Sequence, residues 1–580
     1  DQQKILHDSV ETMMSMPEMS EFIEHRILCR AMEFATNELD KPLNCYKTYT
    51  AKYPTKSNKD TQAFIKSCID RKRKKEIEIS LDGTVSGATA EEESLLTELY
   101  MMFAEKSIAM DKYGYSKPNG TKIPPYRPNF NTNGSGEMGE FFYGHLKLPI
   151  DFKTETGSPS LNEEALNRLK ELHPIAEHFS NYKDAAKEHG TYVVPFVKAF
   201  DAIDIGQNPD YAVSHNKFAH LSIFLGKTVT ARSTAELLQL VPRQGDVKKM
   251  FTSRFNNGVI GLIDESQVEL RVFASLCGDE NMISAYVNGE DLHLKTSIQI
   301  FGDQFLNCTD PKEKKEMRTG AKRVNFGTVY CSGPDGLVST IKSEGVEPLK
   351  LGGYDPDKVY TQVFRKLGID PTKNYDRGLV ESHVDKVRAK VGEMMLNKFF
   401  SGYKRAKEWM TETEEFALKH GYVISPFGRV RRLPNVHSPN QSDRNRALRQ
   451  SVNYPVQSGA SDITLSALSA ITKEFKERQM RSVVIASVHD SILFDMPVDE
   501  APLAIDIAHK YMLNPQQTMD YLGIDIDCSW LKVPLAIDVE VGTSWGSVMA
   551  YKDNQFNAGT EDDEKWLPLT DIFNYQDLSK

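Results

Sequence analysis

Apolar positions near the start of the chain, among them Phe22, Ile23, Ile27, Leu28 and Met32, recur at helical spacing, so the first 45 residues are expected to be mostly helix. Between 46 and 91 that pattern gives way to Lys, Thr, Ser, Gly and Asp, which predicts an exposed, mobile insertion with a basic centre at Arg71 to Lys75. Helical spacing returns from Glu92 to Tyr113, so that the two helical stretches could form an arm. A loop rich in Pro, Asn and Gly follows from Pro118 to Gly136, and more helix is expected from Asn162 to Ala202. The run Gly258 to Asp264 reads as a buried strand ending in a carboxylate, and an acid at a strand end faces a cleft more often than a core. Thr309, Asp310, Pro311 and Glu313 combine a capping side chain, a first-turn proline and an acid at the positive end of a helix expected to reach about Tyr330. Residues 334 to 385 hold several Gly and Pro breaks and read as an insertion, and Met394 to His420 is amphipathic helix. Arg481 to Val488 and Ile492 to Met496 are β-rich apolar runs on either side of His489-Asp490-Ser491, which predicts a hairpin with an acid at its tip.

Composition narrows the class. With 580 residues, 40% hydrophobic and 26% charged, the chain has the balance of a soluble globular protein, and the lack of any solenoid-period repeat points to one large mixed enzyme. A net charge of -10 argues against a protein that coats nucleic acid indiscriminately, so any nucleic-acid site must be local. Basic clusters do occur at Arg71 to Lys75, Lys312 to Arg323 and Arg429 to Arg449, although a solvated helix face accounts for each equally well. The 7 cysteines are scattered and contain no Cys-x-x-Cys pair, which argues against a disulfide framework or a zinc site. No apolar run is long enough to span a membrane, and the start, Asp1-Gln2-Gln3-Lys4, has no signal-peptide core; a cytoplasmic, reducing location is expected.

Two constellations carry candidate chemistry. Arg318, Lys322, Phe326 and Tyr330 follow one another at intervals of four and share one helix face. Two cations and two rings in one stripe suit a nucleoside triphosphate, with charge on the phosphates and a ring against the base or sugar. An amphipathic helix whose aromatics pack inward has the same spacing. Asp264 and Asp490, each at the edge of an apolar strand-like run, are the hard oxygen donors that two-metal phosphoryl transfer requires. Separate structural ion pairs would explain either acid, and spacing alone leaves both readings open.

The surrounding residues resemble the family A DNA polymerases, typified by bacterial DNA polymerase I. Asp264-Glu265-Ser266-Gln267-Val268-Glu269-Leu270-Arg271, continued by Gly278-Asp279-Glu280-Asn281 and Gly289-Glu290-Asp291-Leu292-His293, is similar to the family's first catalytic motif and its extension. Arg318-x3-Lys322-x3-Phe326-Gly327-x2-Tyr330 resembles the fingers-helix motif, and Val488-His489-Asp490-Ser491 the third motif. Arg449-x3-Asn453-x3-Gln457 resembles a helix facing the template, and Thr230-Ala231-Arg232-Ser233 the segment that touches the primer-template minor groove. The resemblance implies an α+β fold of right-hand polymerase architecture, with an antiparallel palm sheet, helical fingers and a helical thumb. The expected divisions are thumb 1–160, palm 161–285 and 446–580, and fingers 286–445.

It also implies roles. Asp264, Asp490 and the backbone carbonyl of Glu265 would hold two Mg2+ ions, for which Mn2+ could substitute. Arg318, Lys322 and His293 would neutralise the triphosphate, and Lys322 would donate a proton to pyrophosphate. Glu269 would be the steric gate against a ribose 2′ hydroxyl, with Gln267 beside it. Phe326 would line the sugar pocket and, lacking a phenolic oxygen, would disfavour dideoxy substrates; Tyr330 would hold the template base position. Arg232, Arg449, Asn453, Gln457 and His489 would contact primer-template DNA. The expected activity is primer extension with dNTPs.

Three residues depart from the family pattern: Glu265 stands in place of a Tyr, Cys331 of a Gly and Ser491 of a Glu. His-Asp-Ser also occurs in single-subunit RNA polymerases, but these usually carry Met-Thr in place of Phe326-Gly327 and lack the glutamate gate. An RNA polymerase-like enzyme and a catalytically silent nucleic-acid-binding relative are therefore the competing readings. No 3′ to 5′ exonuclease site is evident, so an exonuclease domain is absent, lies outside this sequence or is on another chain; a processivity factor or another replisome subunit would be a further partner. The insertions and Ser491 favour a phage source.

Overall fold

Prolines and side-chain caps decide where the helices begin in the computed structural model, which describes residues 2–130, 136–154, 156–204, 223–224, 234–235, 246–373, 375, 377–488, 490–560 and 563–578. The chain divides into two units, Asp1–Val194 and Pro195–Lys580. In the first, α1 (Gln2–Ser15), α2 (Pro17–Leu39) and α3 (Pro42–Lys52) form the expected helical opening, divided where Pro17 and Pro42 take first-turn positions. A proline there gives up only an N–H that has no partner within the helix. The segment expected to be an exposed insertion contains most of α3 and all of α4 (Lys59–Arg73), followed by α5 (Ala90–Tyr113), whose start is fixed by a Thr89–Glu92 capping box. Ile65, Cys68 and Ile69 lie on one face of α4 and join Ala31, Ala35, Leu96, Leu99 and Phe103 in a single core. The i, i+3, i+4 signal was present in the sequence but diluted by the polar face.

The basic run at the end of α4 serves this same unit. Arg71 bonds Glu92 at 2.6 Å and Lys72 bonds Asp40 at 2.6 Å. Farther on, Asn162 caps α6 (Glu163–Lys170), and α7 (Ile175–Glu188) contributes Phe179 to a second core with Phe22, Phe141 and Phe142.

The second unit is built on a seven-stranded antiparallel sheet. Its elements in chain order are β1 (Gly258–Glu265), α8 (Val268–Cys277), α9 (Leu292–Phe301), α10 (Pro311–Val329), α11 (Pro334–Ser343), α12 (Pro356–Leu367), α13 (Arg377–Gly402), α14 (Lys404–His420), α15 (Gln441–Glu477), β2 (Val483–Val488), β3 (Ser491–Pro497), α16 (Ala501–Met512), β4 (Ile537–Gly542), β5 (Met549–Lys552), β6 (Gln555–Asn557) and β7 (Trp566–Pro568). Strand order is β2-β3-β1-β4-β5-β6-β7, so the strand that ends in Asp264 lies between the Asp490 hairpin and β4. Val259, Ile263 and Phe494 pack with Ala467, Ile471, Ala504 and Ala508 of α15 and α16, which covers one face of the sheet. The prolines between 334 and 385 that read as breaks begin helices instead: Pro334, Pro348 and Pro356 each stand in a first turn.

Helix α15 crosses α8 at Gly459, where an added Cβ would lie 2.8 Å from Pro426 Cγ and 3.2 Å from Val272 Cγ1. Gly459→Ala is therefore expected to cost about 1–3 kcal/mol through overpacking. A lower urea midpoint at unchanged slope is the expected result, and an unshifted midpoint would refute the close crossing.

Candidate active site

Strand register brings the two acids together. Ser491 and Asp538 stand directly opposite Asp264 on the neighbouring strands, and directly opposed residues share a sheet face. Asp264 thus lies on the face that α15 and α16 leave uncovered. Asp490 occupies the turn between β2 and β3; its backbone oxygen accepts from Glu265 N at 3.2 Å, which holds the turn against the end of β1. The Ser491 hydroxyl donates to Asp264 Oδ1 at 2.5 Å.

Glu265, one residue on, points to the opposite face and is buried, its Oε2 accepting from Thr464 Oγ1 at 2.6 Å. Burial pushes its pKa well above the ordinary carboxylate range, and the charges of Asp490 and Asp264 push the same way against the Thr464 bond. Its side chain favours the neutral form.

The helix stripe faces outward. Arg318, Lys322 and Tyr330 are exposed and Phe326 half-buried, while Met317, Ala321, Val324 and Thr328 on the other side fill the core. Asp310 caps this helix and Pro311 takes its first turn, as the sequence predicts. Arg318 bonds Asp291 at 2.6 Å, and Tyr330 donates to Glu269 Oε2 at 2.7 Å. The stripe therefore runs from the start of α9 to the start of α8, four residues beyond β1. Gln267, which begins α8, has φ +55° and accepts a hydrogen bond from Tyr286.

His293 sits beside Phe326 with ring centres 5.6 Å apart. Burial lowers its pKa to about 4, the nearby cations Lys322 and Arg318 push the same way, and Asp291 only partly opposes them. The ring is neutral near pH 7.

The chain has counterparts among known proteins. The family model described as DNA polymerase family A matches residues 120–348 and 376–547, more than half of the chain. The chain belongs to DNA polymerase family A. Curated relatives of this family A chain include a DNA polymerase I of Caldicellulosiruptor bescii, 27% identical across 72% of the chain and 41% of the relative. Another is a DNA polymerase of Bacillus phage SP01, 27% identical across 78% of the chain and 42% of the relative. The chain thus spans about two fifths of the length of these relatives. The POL domain of Pol1 from M. smegmatis, solved in complex with DNA primer-template and dNTP, has a similar fold, with a TM-score of 0.51 at 21% identity over 72% of this chain and 61% of that one. The fold is the α+β fold of the family.

Around this centre the family A chain arranges its remaining candidates unevenly. Asn453 donates to the Val329 carbonyl at 3.3 Å, just behind Tyr330, and Gln457 one turn on is buried. Arg449 lines a cleft of about 440 Å3 with Thr328, Cys331, Ser332 and Glu414. Cys331 has φ +52°, the left-handed region where a glycine carries no steric penalty, which accounts for the family's usual residue there. Arg232 and His489 lie outside the described residues. Sequence reasoning passed over Asp538 and Asn325, and it quoted Asp291 without giving it a role. Alternation in β4, with Asp538 and Glu540 between Ile537, Val539 and Val541, was the available signal for the first. Glu540 shares the electrostatics of the centre, its pKa raised by burial and by the charges of Asp264 and Asp538.

Carboxylates on one sheet face are hard oxygen donors that fit Mg2+. Among the described residues no three acidic, His or Cys side chains converge as a metal cage. Among the described residues no helix is long and apolar enough to cross a membrane.

Proposed function

We propose that the chain is a template-directed DNA polymerase that extends a primer with dNTPs and releases pyrophosphate. The observation that carries this reading is the meeting of Asp264 and Asp490 at the end of the β1 strand, beside a helix whose stripe bears the exposed Arg318, Lys322 and Tyr330 and the half-buried Phe326. On this reading Asp264, Asp490 and the Glu265 backbone carbonyl hold two Mg2+ ions, which activate the primer hydroxyl and offset charge on the triphosphate. Arg318 and Lys322 bind the phosphates, Phe326 lines the sugar pocket and Tyr330 takes the template base position. His293 joins them at the triphosphate. Primer-template runs past Arg449, Asn453 and Gln457, and also past Arg232 and His489, through sequence-independent contacts that salt should weaken. Residues 1–160 act as thumb and the sheet belongs to the palm, with the helices from α9 to α14 in the fingers. A phage source, a cytoplasmic site of action and a separate processivity factor belong to the same reading.

Primer extension tests it. Divalent-metal-dependent dNTP addition to a primed template supports the assignment; primer-independent ribonucleotide use would favour an RNA polymerase, and no incorporation a silent relative.

The Tyr330 hydroxyl holds Glu269 in place, so the gate has a rigid support. Glu269→Ala is expected to improve ribonucleotide use relative to dNTP on the order of a hundredfold, because the space left free accepts the 2′ hydroxyl. Single-nucleotide incorporation of matched rNTP and dNTP measures this, and an unchanged ratio would remove Glu269 from the gate.

A further inference from the structure

Between Lys322 and Phe326 on α10 stands Asn325, which lies on the buried side of the helix and is fully enclosed. A buried amide must find partners, and this one has two. Its Oδ1 accepts from Thr296 Oγ1 at 3.0 Å, and Thr296 Oγ1 is itself 3.4 Å from the Tyr403 hydroxyl. Its Nδ2 lies 2.7 Å from Nδ1 of His293. With the oxygen committed to the threonine, the NH2 group faces the imidazole and donates to it.

We propose that Asn325 is a positioning residue for nucleotide binding: its amide holds His293 in the tautomer that carries the proton on Nε2, so that this N–H is offered to the triphosphate. The inference rests on the polymerase reading above. It deepens that reading by assigning the histidine a donor's role rather than a cation's. On a neutral ring one nitrogen donates and the other accepts. A ring nitrogen that accepts from Asn325 leaves only Nε2 to carry the proton. The ring is kept neutral by burial and by the cations Lys322 and Arg318 from α10, against Asp291 at the start of its own helix. The same Asp291 accepts from His293 N at 2.8 Å and from Arg318, so backbone, ring and arginine are fixed together. Unlike the four stripe residues, Asn325 does not need to touch the nucleotide, and it acts through the histidine.

The test uses the whole chain labelled with 15N-histidine, and the His293 ring signals are assigned by their loss in His293→Gln. Without nucleotide, the wild-type ring should show a protonated Nε2 and an unprotonated Nδ1. In Asn325→Asp the acceptor-only carboxylate should draw a proton to Nδ1. In single-nucleotide incorporation, Asn325→Asp and His293→Gln should each raise the dNTP KM on the order of tenfold, the worth of a hydrogen bond to a charged group, with primer-template affinity unchanged. The double variant should be no worse than His293→Gln alone, since both losses travel through one ring. A wild-type ring protonated on Nδ1, or two substitutions whose effects multiply, would overturn the proposal. The ring spectrum decides even where Asn325→Asp does not fold. Wild-type protein that fails to extend primers would sink the polymerase reading instead, so the two failures are distinct.

Discussion

Asp264→Asn and Asp490→Asn are each expected to lower primer extension by at least about a thousandfold, the several kcal/mol that a metal ion contributes to transition-state charge stabilisation. Asparagine keeps the side-chain shape and one neutral oxygen, so the backbone pairing of β1 with β3 and β4 should survive. The Ser491 hydroxyl should still find an acceptor at position 264. What is lost is the negative charge that a divalent cation needs. The double variant should fall little below either single one, because both acids serve one centre. Single-turnover incorporation in Mg2+, with primer-template affinity and thermal melting measured in parallel, separates chemistry from binding and folding. Either single variant retaining a tenth of wild-type activity would be incompatible with a shared metal centre.

The elements around that centre were legible because their signals are local. An apolar run ending in an acid gave β1, a cap followed by proline gave α10, and paired β-rich runs gave the Asp490 hairpin. The stripe was legible as a face, but the sequence could not tell whether its rings packed inward. The structure divides the two rings: Tyr330 is exposed, while Phe326 is half-buried and packs against the core that Met317, Ala321 and Val324 help to fill. Where the reading differed, the cause was composition standing in for packing. Helix α4 buries only Ile65, Cys68 and Ile69 among many polar residues, and first-turn prolines after position 334 looked like breaks until their partners were known. Convergence of Asp264 with Asp490 depends on strand order, which no local pattern encodes. The lowered pKa of the His293 ring depends on burial, invisible in one dimension. Asn325 was hidden for the same reason, since a lone asparagine beside a lysine carries no signal until its two partners are located.

Lys322→Ala should lower the single-turnover rate about a hundredfold or more, the range for removing a positioned general acid, while primer-template affinity stays unchanged. Lys322 stands exposed on the stripe, one helical turn from Arg318 on one side and Phe326 on the other. It takes no part in the core, so alanine there should leave the fold intact. Two roles, fixed charge and proton donor, would both be lost with alanine, and arginine separates them. Lys322→Arg preserves the positive charge, but a guanidinium holds its proton at any working pH and is a poor acid. If the lysine serves mainly as a proton donor, the arginine variant should bind dNTP nearly as the wild type does, yet remain slow. Its pH–rate profile should then lack the limb that reports loss of the lysine proton. If charge alone matters, Lys322→Arg should recover most of the rate, and the lysine would join Arg318 as an electrostatic clamp, leaving the pyrophosphate to take its proton from water.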